Sequence, residues 1–297
     1  MRITRSVALA ALVACPSLIA GRPLRAQSNT QQLDRAEPSP HIVVVRATEY
    51  RLDAQPGVAA GTLQLRFENA GREVHHLWLV RLEQGRTFND FLRIMDSPNP
   101  PALPSWAVDV GGLNDLSPGM SATAILTLEP GDYAMADLAP SPDGRPHVTR
   151  GMFKELTVTT PDETGEPRAA EPAADVTLQM TDYAFELSKP IESGETVVRV
   201  ENVGQQSHEV LIGQLRSDKS MSDALDWFQQ GMHGSAPVLA IGGVSGLAKG
   251  RHEVIALDFA PGRYVLFCFV PDAKDGKPHT AHGMMKEFSV GPVAASQ

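Results

Sequence analysis

One cysteine, two histidines and a methionine in the C-terminal part of the chain carry the donor atoms of a soft metal site. Cys268 closes the segment Gly262-Arg263-Tyr264-Val265-Leu266-Phe267-Cys268. His208 follows Asn202-Val203-Gly204, and His279 precedes Gly283-Met284-Met285-Lys286. Sulfur holds Cu(I), imidazole suits Cu(II), and a distant thioether completes the ligand types of a blue-copper electron-transfer site. Each residue also has a plainer use. A single cysteine is commonly a small buried hydrophobe. His208 and His279 can serve as hydrogen-bonded strand and loop histidines. His282 competes as a ligand, and Met284 and Met285 adjoin, so that one of them can belong to the core.

The residues around these donors occur twice. Phe67-Glu68-Asn69-Ala70-Gly71 matches Val200-Glu201-Asn202-Val203-Gly204, and His75 then falls on His208. Pro130-Gly131-Asp132-Tyr133 matches Pro261-Gly262-Arg263-Tyr264. Asp143-Gly144-Arg145-Pro146-His147 matches Asp275-Gly276-Lys277-Pro278-His279, and Gly151-Met152 matches Gly283-Met284. The shared order marks a tandem duplication, with copies at 41–160 and 175–291. Residues 161–174, rich in proline, acids and small residues, read as a semi-stiff linker. Residues 27–40 read as a polar, flexible N-terminal segment.

Period-two runs such as Thr62-Leu63-Gln64-Leu65-Arg66-Phe67 predict strands, and Gly-Pro punctuation at short spacing predicts a β-sandwich. Ser220-Met221-Ser222-Asp223 reads as a capping box opening a short helical insert, with Thr87 to Met95 as its counterpart.

With these motifs the sequence resembles the cupredoxin family of plastocyanin-like type 1 copper proteins. The resemblance covers both copies in outline and the C-terminal copy in motif. It implies an all-β chain of two tandem cupredoxin-like Greek-key β-sandwiches, each with a short helical insert. It also implies one copper ion, with Cys268 as thiolate, His208 and His279 as equatorial imidazoles and Met284 as weak axial ligand. In the family the copper cysteine and second histidine share one short loop. Here residues 269–278 separate them, and Asp275-Gly276 is a turn signal that can fold this excursion back and return His279. The first copy keeps His75, His147 and Met152 but has Asp137 where the cysteine stands. It binds nothing, or it offers a harder, weaker site with Asp137 or His76.

Composition narrows the remaining readings. The chain has 297 residues, 42% hydrophobic and 21% charged, with a net charge of −9. An acidic chain without a basic block is a poor partner for nucleic acid, and no apolar run reaches the ~18 residues of a membrane span. Arg2 and Arg5 followed by an apolar run to Ala20 read as a Sec-type signal peptide over residues 1–26, which places the protein in the periplasm or outside the cell. The alternative takes Leu12-Val13-Ala14-Cys15 as a lipobox and anchors the protein as a lipoprotein at Cys15. Removing residues 1–26 removes four arginines and no acid, leaving −13 and the single cysteine Cys268.

These observations lead to an exported copper-binding protein that carries one electron to a redox partner protein. A metal-free cupredoxin-like interaction module is the alternative. A copper oxidoreductase is disfavoured, because no His-x-His pair occurs and Cys268 is flanked by Phe267 and Phe269.

Overall fold

The computed structural model describes residues 42–95, 103–160 and 170–292. The leader with Cys15, the segment 27–40 and residues 161–169 of the expected linker lie outside the described residues. The first part of the chain contributes β1 (Ile42–Thr48), β2 (Arg51–Asp53), β3 (Gly57–Ala59), β4 (Gly61–Asn69), β5 (Trp78–Leu82), α1 (Phe88–Met95), β6 (Ala107–Gly111), β7 (Ser121–Leu128), β8 (Gly131–Ala136) and β9 (Phe153–Thr159). The second contributes β10 (Val176–Thr181), β11 (Ala184–Leu187), β12 (Gly194–Asn202), β13 (His208–Leu215), α2 (Met221–Gln229), β14 (Val238–Leu247), β15 (His252–Phe259), β16 (Gly262–Phe267) and β17 (Met285–Val290).

The strands follow from alternation. In β1, Val43, Val45 and Ala47 are buried while Ile42 and Val44 face out. β-Branched residues at period two give one apolar and one exposed face, which is the pattern of a half-buried strand. The helices follow from their caps. Ser220 accepts from the Asp223 N–H, and the Asp223 carboxylate accepts from the Ser220 N–H, which satisfies two donors at the start of α2. Thr87 and Asp90 do the same at α1. Helix α1 buries Phe91 and Met95 beside Trp78, and α2 buries Ala224 beside Leu211, Leu215 and Phe267.

The sheets correct the expected architecture. Two tandem Greek-key sandwiches, each closed on its own core, are not what the chain forms. Strands of both copies instead share two continuous sheets. One runs β11-β10-β12-β15-β7-β4-β1-β2 and the other β17-β16-β13-β14-β6-β5-β8-β9-β3. In the first, β7 pairs with β15 through Ala124 opposite Ile255 and its neighbours. In the second, β6 meets β14 at Val110 and Leu247, and the ladder continues through bridges from Leu113 to Val244 and from Leu116 to Ile241. The physical reason lies in the edges. A strand left at a sheet edge exposes unpaired N–H and C=O groups. Pairing the copies edge to edge satisfies those groups and lets one apolar cluster run from Val43 to Val290 through both copies.

Side chains pin the same junction. The Gly112 N–H donates to Glu253 Oε2 at 2.8 Å, across the two copies. Burial pushes the Glu253 carboxyl up to about 8, so it sits in the core as the neutral acid at pH 7. The Ser245 hydroxyl donates to the Leu77 carbonyl at 3.0 Å. The two copies therefore fold as partners in one body.

Candidate metal centre

Three distant segments meet behind the end of β13. His208 is the first residue of that strand. β13 pairs with β16 through Leu211 and Phe267, so the next residue, Cys268, falls at the level of Val210, within reach of the Glu209 N–H. The Glu209 N–H donates to Cys268 Sγ at 3.4 Å. The third donor arrives by a loop. After Cys268 the chain runs out, turns and returns: the Asp272 carboxylate accepts from the Lys274 N–H, and the Asp272 N–H donates to the Lys277 carbonyl. The His279 N–H then donates to Val270 O, and the Thr280 N–H to Cys268 O. The excursion between Cys268 and His279 thus folds back and delivers the histidine. Gly283, at φ 93°, ends the following 3-10 turn in a left-handed conformation that favours glycine, and the chain enters β17.

The three donor atoms form a small triangle. His208 Nδ1 lies 3.0 Å from His279 Nδ1, Cys268 Sγ lies 3.3 Å from His279 Nδ1, and Cys268 Sγ lies 3.9 Å from His208 Nδ1. The centre of a triangle with those sides is about 2.0 Å from each corner, close to metal–nitrogen and metal–sulfur bond lengths of ~2.0–2.3 Å. All three residues are buried completely.

Neighbouring groups fix the ligands. Asp182 Oδ1 accepts from His208 Nε2 at 2.9 Å, so the proton sits on Nε2 and the Nδ1 lone pair faces the centre. Partial burial works against ionisation of Asp182, but the His208 hydrogen bond and the Gln205 and Gln206 N–H groups hold it below the usual carboxylate range. Burial pulls His208 down, and it pulls His279 to about 4 with help from the His208 charge. Both rings are therefore neutral at pH 7, the form that binds metal. Burial pushes the Cys268 thiol far up, with the Glu209 charge acting in the same direction. Without an ion the sulfur keeps its proton. His279 Nε2 is buried with no hydrogen-bond partner among the described residues, since Asp272 Oδ2 stands off at 3.8 Å. Two imidazole nitrogens facing each other around a thiol fit a cation at the centre better than they fit one another.

The loop carrying His208 is held by Asn202. Its side-chain N–H groups donate to Gln206 O and Leu247 O at 2.7 Å, and its Oδ1 accepts from the Gly204 N–H at 2.9 Å. Gly204 is needed for space. A Cβ there would stand 2.5 Å from Asp182 Oδ1 and 2.6 Å from His208 Nε2. Gly204→Ala is expected to break the Asp182–His208 bond and weaken metal binding roughly 10–100-fold, the usual cost of losing such a supporting partner. Competition titration against a chelator measures it, and unchanged affinity would show that Asp182 does not orient the ring.

Three of the four expected residues converge, His208, Cys268 and His279. Met284 meets the cluster through its backbone: its N–H donates to His279 O at 3.0 Å, and its carbonyl accepts from the Cys268 N–H at 3.3 Å. Its side chain lies in the same buried apolar cluster as Cys268. The set that converges is two imidazoles and a thiol, not the His-Cys-His-Met arrangement of a type 1 copper site. The expectation of one-electron transfer at such a site falls with it. His282 is directed elsewhere, with Nε2 3.2 Å from Asp275 Oδ1, and these two form a separate surface group with Asp272.

The first copy builds the same triangle with an oxygen. His75 Nδ1 lies 3.1 Å from His147 Nδ1, and Asp137 Oδ2 lies 2.7 Å and 3.1 Å from them. Its centre is only about 1.7 Å from each corner, shorter than ~2.0 Å metal bonds. Protons fill this site. Asp137 Oδ2 accepts from both rings, and Glu73 accepts from His147 Nε2 at 2.8 Å. Burial works against the charge on His147, but Asp137 and Glu73 outweigh it and raise the ring above its usual value. Met152, like Met284, is buried in the core. His76 turns away from this triangle, with Nδ1 3.3 Å from Asp115 Oδ1.

Sequence reasoning missed Asp182, Tyr183 and Glu209. A signal was present: Glu49-Tyr50 and Asp182-Tyr183 each place an acid and a tyrosine at the same distance, 26 residues from acid to histidine, before His75 and His208. Tyr50 and Tyr183 both adopt positive φ and set their rings edge-on to His147 and His279.

No family model matches the chain, and no curated protein matches it. Solved structures give partial likenesses. A dithionite-reduced auracyanin from the photosynthetic bacterium Roseiflexus castenholzii is 20% identical, with a TM-score of 0.30, over 41% of this chain and 98% of its own. Auracyanin A, described as a "blue" copper protein from Chloroflexus aurantiacus, is 18% identical, with a TM-score of 0.30, over 41% of this chain and 100% of its own. A multicopper oxidase is 14% identical, with a TM-score of 0.23, over 84% of this chain and 88% of its own. Likenesses this distant and partial do not assign the chain to a family. The continuous sheets shared by the two copies contradict the cupredoxin membership and the tandem Greek-key sandwiches expected from the motifs.

Proposed function

We propose that the protein is a metal-binding protein whose C-terminal centre holds one copper ion, in the Cu(I) state, on His208, Cys268 and His279. The single observation behind this reading is the buried triangle of two neutral nitrogens and one sulfur around a point at metal-bond distance. Thiolate selects soft ions, and Zn(II) in protein sites almost always takes four ligands. Three convergent donors suit Cu(I), which accepts low coordination numbers. Binding releases the Cys268 proton, so affinity rises with pH. The leader-like first 26 residues favour an exported location, where a single thiol held by a metal is protected from oxidation.

The test is anaerobic titration of the full chain with Cu(I) against a chromophoric Cu(I) chelator, with Zn(II) in parallel. One equivalent of Cu(I) bound in preference to Zn(II) is expected. No uptake of Cu(I), or tighter uptake of Zn(II), would overturn the assignment.

A further inference from the structure

A concavity lies between the two copies, lined in part by Glu209 and Phe269, the neighbours of His208 and Cys268. It has a volume of about 870 Å³ and is lined by His76, Asp109 and Asp115 of the first copy and Glu209 of the second. Its walls mix aromatic, aliphatic and amide side chains, with Trp78, Phe228, Phe269, Gln205 and Gln206 among them. No lysine or arginine lines it among the described residues. Volumes of ~300–1,000 Å³ with apolar walls and a few convergent polar groups are those of small-molecule sites.

The acids are held in place but not used up. Asp109 Oδ1 accepts from the Trp78 indole N–H at 2.8 Å. Glu209 Oε1 accepts from the Phe269 N–H at 2.9 Å, while its Oε2 has only the Asn114 amide at 3.4 Å. The Asp115 side chain is 9% exposed. Its Oδ1 faces His76 Nδ1 at 3.3 Å, and its Oδ2 takes no hydrogen bond among the described residues. That oxygen is reached by solvent, so a group entering the cavity can meet it.

The shape of the acid set points to an organic ion over a bare metal. Groups of His, Cys, Asp or Glu whose ligand atoms lie within 4.8 Å of one another occur at three places among the described residues, and none is this cavity. The carboxylates are spread around a wide space whose other walls include the rings of Trp78, Phe228 and Phe269. Aromatic faces and carboxylates together are the groups that bind ammonium ions, through the ring quadrupole and through charge.

We propose that the cavity between the two copies binds a small organic ammonium ion, with Asp115 and Glu209 facing its charge and Trp78, Phe228 and Phe269 packing on its apolar body. The cavity borders the metal triangle through Glu209, whose N–H donates to Cys268 Sγ, but none of the three proposed metal ligands lines it.

Calorimetric titration of the full chain with choline and with its uncharged isostere 3,3-dimethylbutan-1-ol tests this. Choline is expected to bind at least roughly 10-fold more tightly than the isostere, as a desolvated cation–π contact with carboxylate support would give. Asp115→Asn is expected to remove most of that preference. Phe228→Leu is expected to weaken both ligands without erasing the preference, which guards against a variant that merely misfolds. Equal binding of choline and isostere would overturn the proposal. So would displacement of choline by equimolar Mg²⁺ or Mn²⁺, which would make the acids a metal site.

Discussion

Cys268→Ser is expected to abolish stoichiometric Cu(I) binding while leaving the fold in place. The serine hydroxyl fits the space of the thiol and can accept from the Glu209 N–H that now donates to Sγ. What it cannot do is supply a soft anionic donor. Two neutral imidazoles remain, and the third corner of the triangle becomes a hard, protonated oxygen. The loss shows first in the competition titration, as one equivalent falling to none. It shows again in stability. An ion that binds only the folded state adds about 2.7 kcal/mol when its free concentration is about 100 times Kd. Wild-type protein should gain this protection against urea on adding Cu(I), and the variant should gain none. A variant that still takes one equivalent with wild-type affinity would remove the thiol from the ligand set and end the copper proposal.

Asp137→Asn is expected to cost about 3–5 kcal/mol of folding stability, the range for removing one partner of a buried ion pair. Asp137 is fully buried and receives both His75 and His147 on one oxygen and the Ala139 N–H on the other. Burial pushes its carboxyl up, but the His147 and His75 hydrogen bonds overcome that and hold it at about 2. An asparagine leaves the His147 imidazolium with Glu73 alone. The pH dependence has a definite sign. A carboxyl depressed on folding contributes stability above its unfolded value near 4, and loses it as pH falls toward about 2. That contribution is about 2.6 kcal/mol for a depression of this size. His147, raised on folding, contributes below its unfolded value near 6.5 and loses the contribution as pH rises through the folded one. Urea unfolding from pH 2 to pH 9 should show a steep acid limb in the wild type that is blunted in the variant. A cost below about 1 kcal/mol at pH 7 would mean that the first triangle carries no ion pair.

The two centres show how a single residue sets one scaffold for a metal or for protons. Cys268 and Asp137 occupy the same corner. Sulfur is large, and its triangle leaves room for an ion about 2.0 Å from each donor. The carboxylate oxygen is small and already charged, so it draws the two rings in and is satisfied by their protons.

Much of this was legible in the chain. The duplicated Asn-x-Gly-x-x-x-His segments mark the loops that Asn69 and Asn202 tie down in the same way, each donating to two carbonyls. Asp275-Gly276 marks the turn that sends His279 back. Ser220 and Asp223 mark the start of α2. Other features could not be read. The methionine after each glycine reads equally as a ligand or as core, because a thioether suits both a metal and an apolar interior. The edge pairing of β7 with β15 and of β6 with β14 leaves no trace in local alternation, because an edge strand and an inner strand share the same period.

The sequence by itself determined the kinds of donor atom, their placement at the ends of strands, and the local turns that carry them, since these depend on residues close along the chain. The tertiary structure alone decided that His208, Cys268 and His279 meet, and that the two copies merge into shared sheets around an acidic cavity. Those outcomes depend on register between strands tens of residues apart. A slip of one residue in such a register turns every side chain to the opposite face, and nothing written locally in the chain records which register wins.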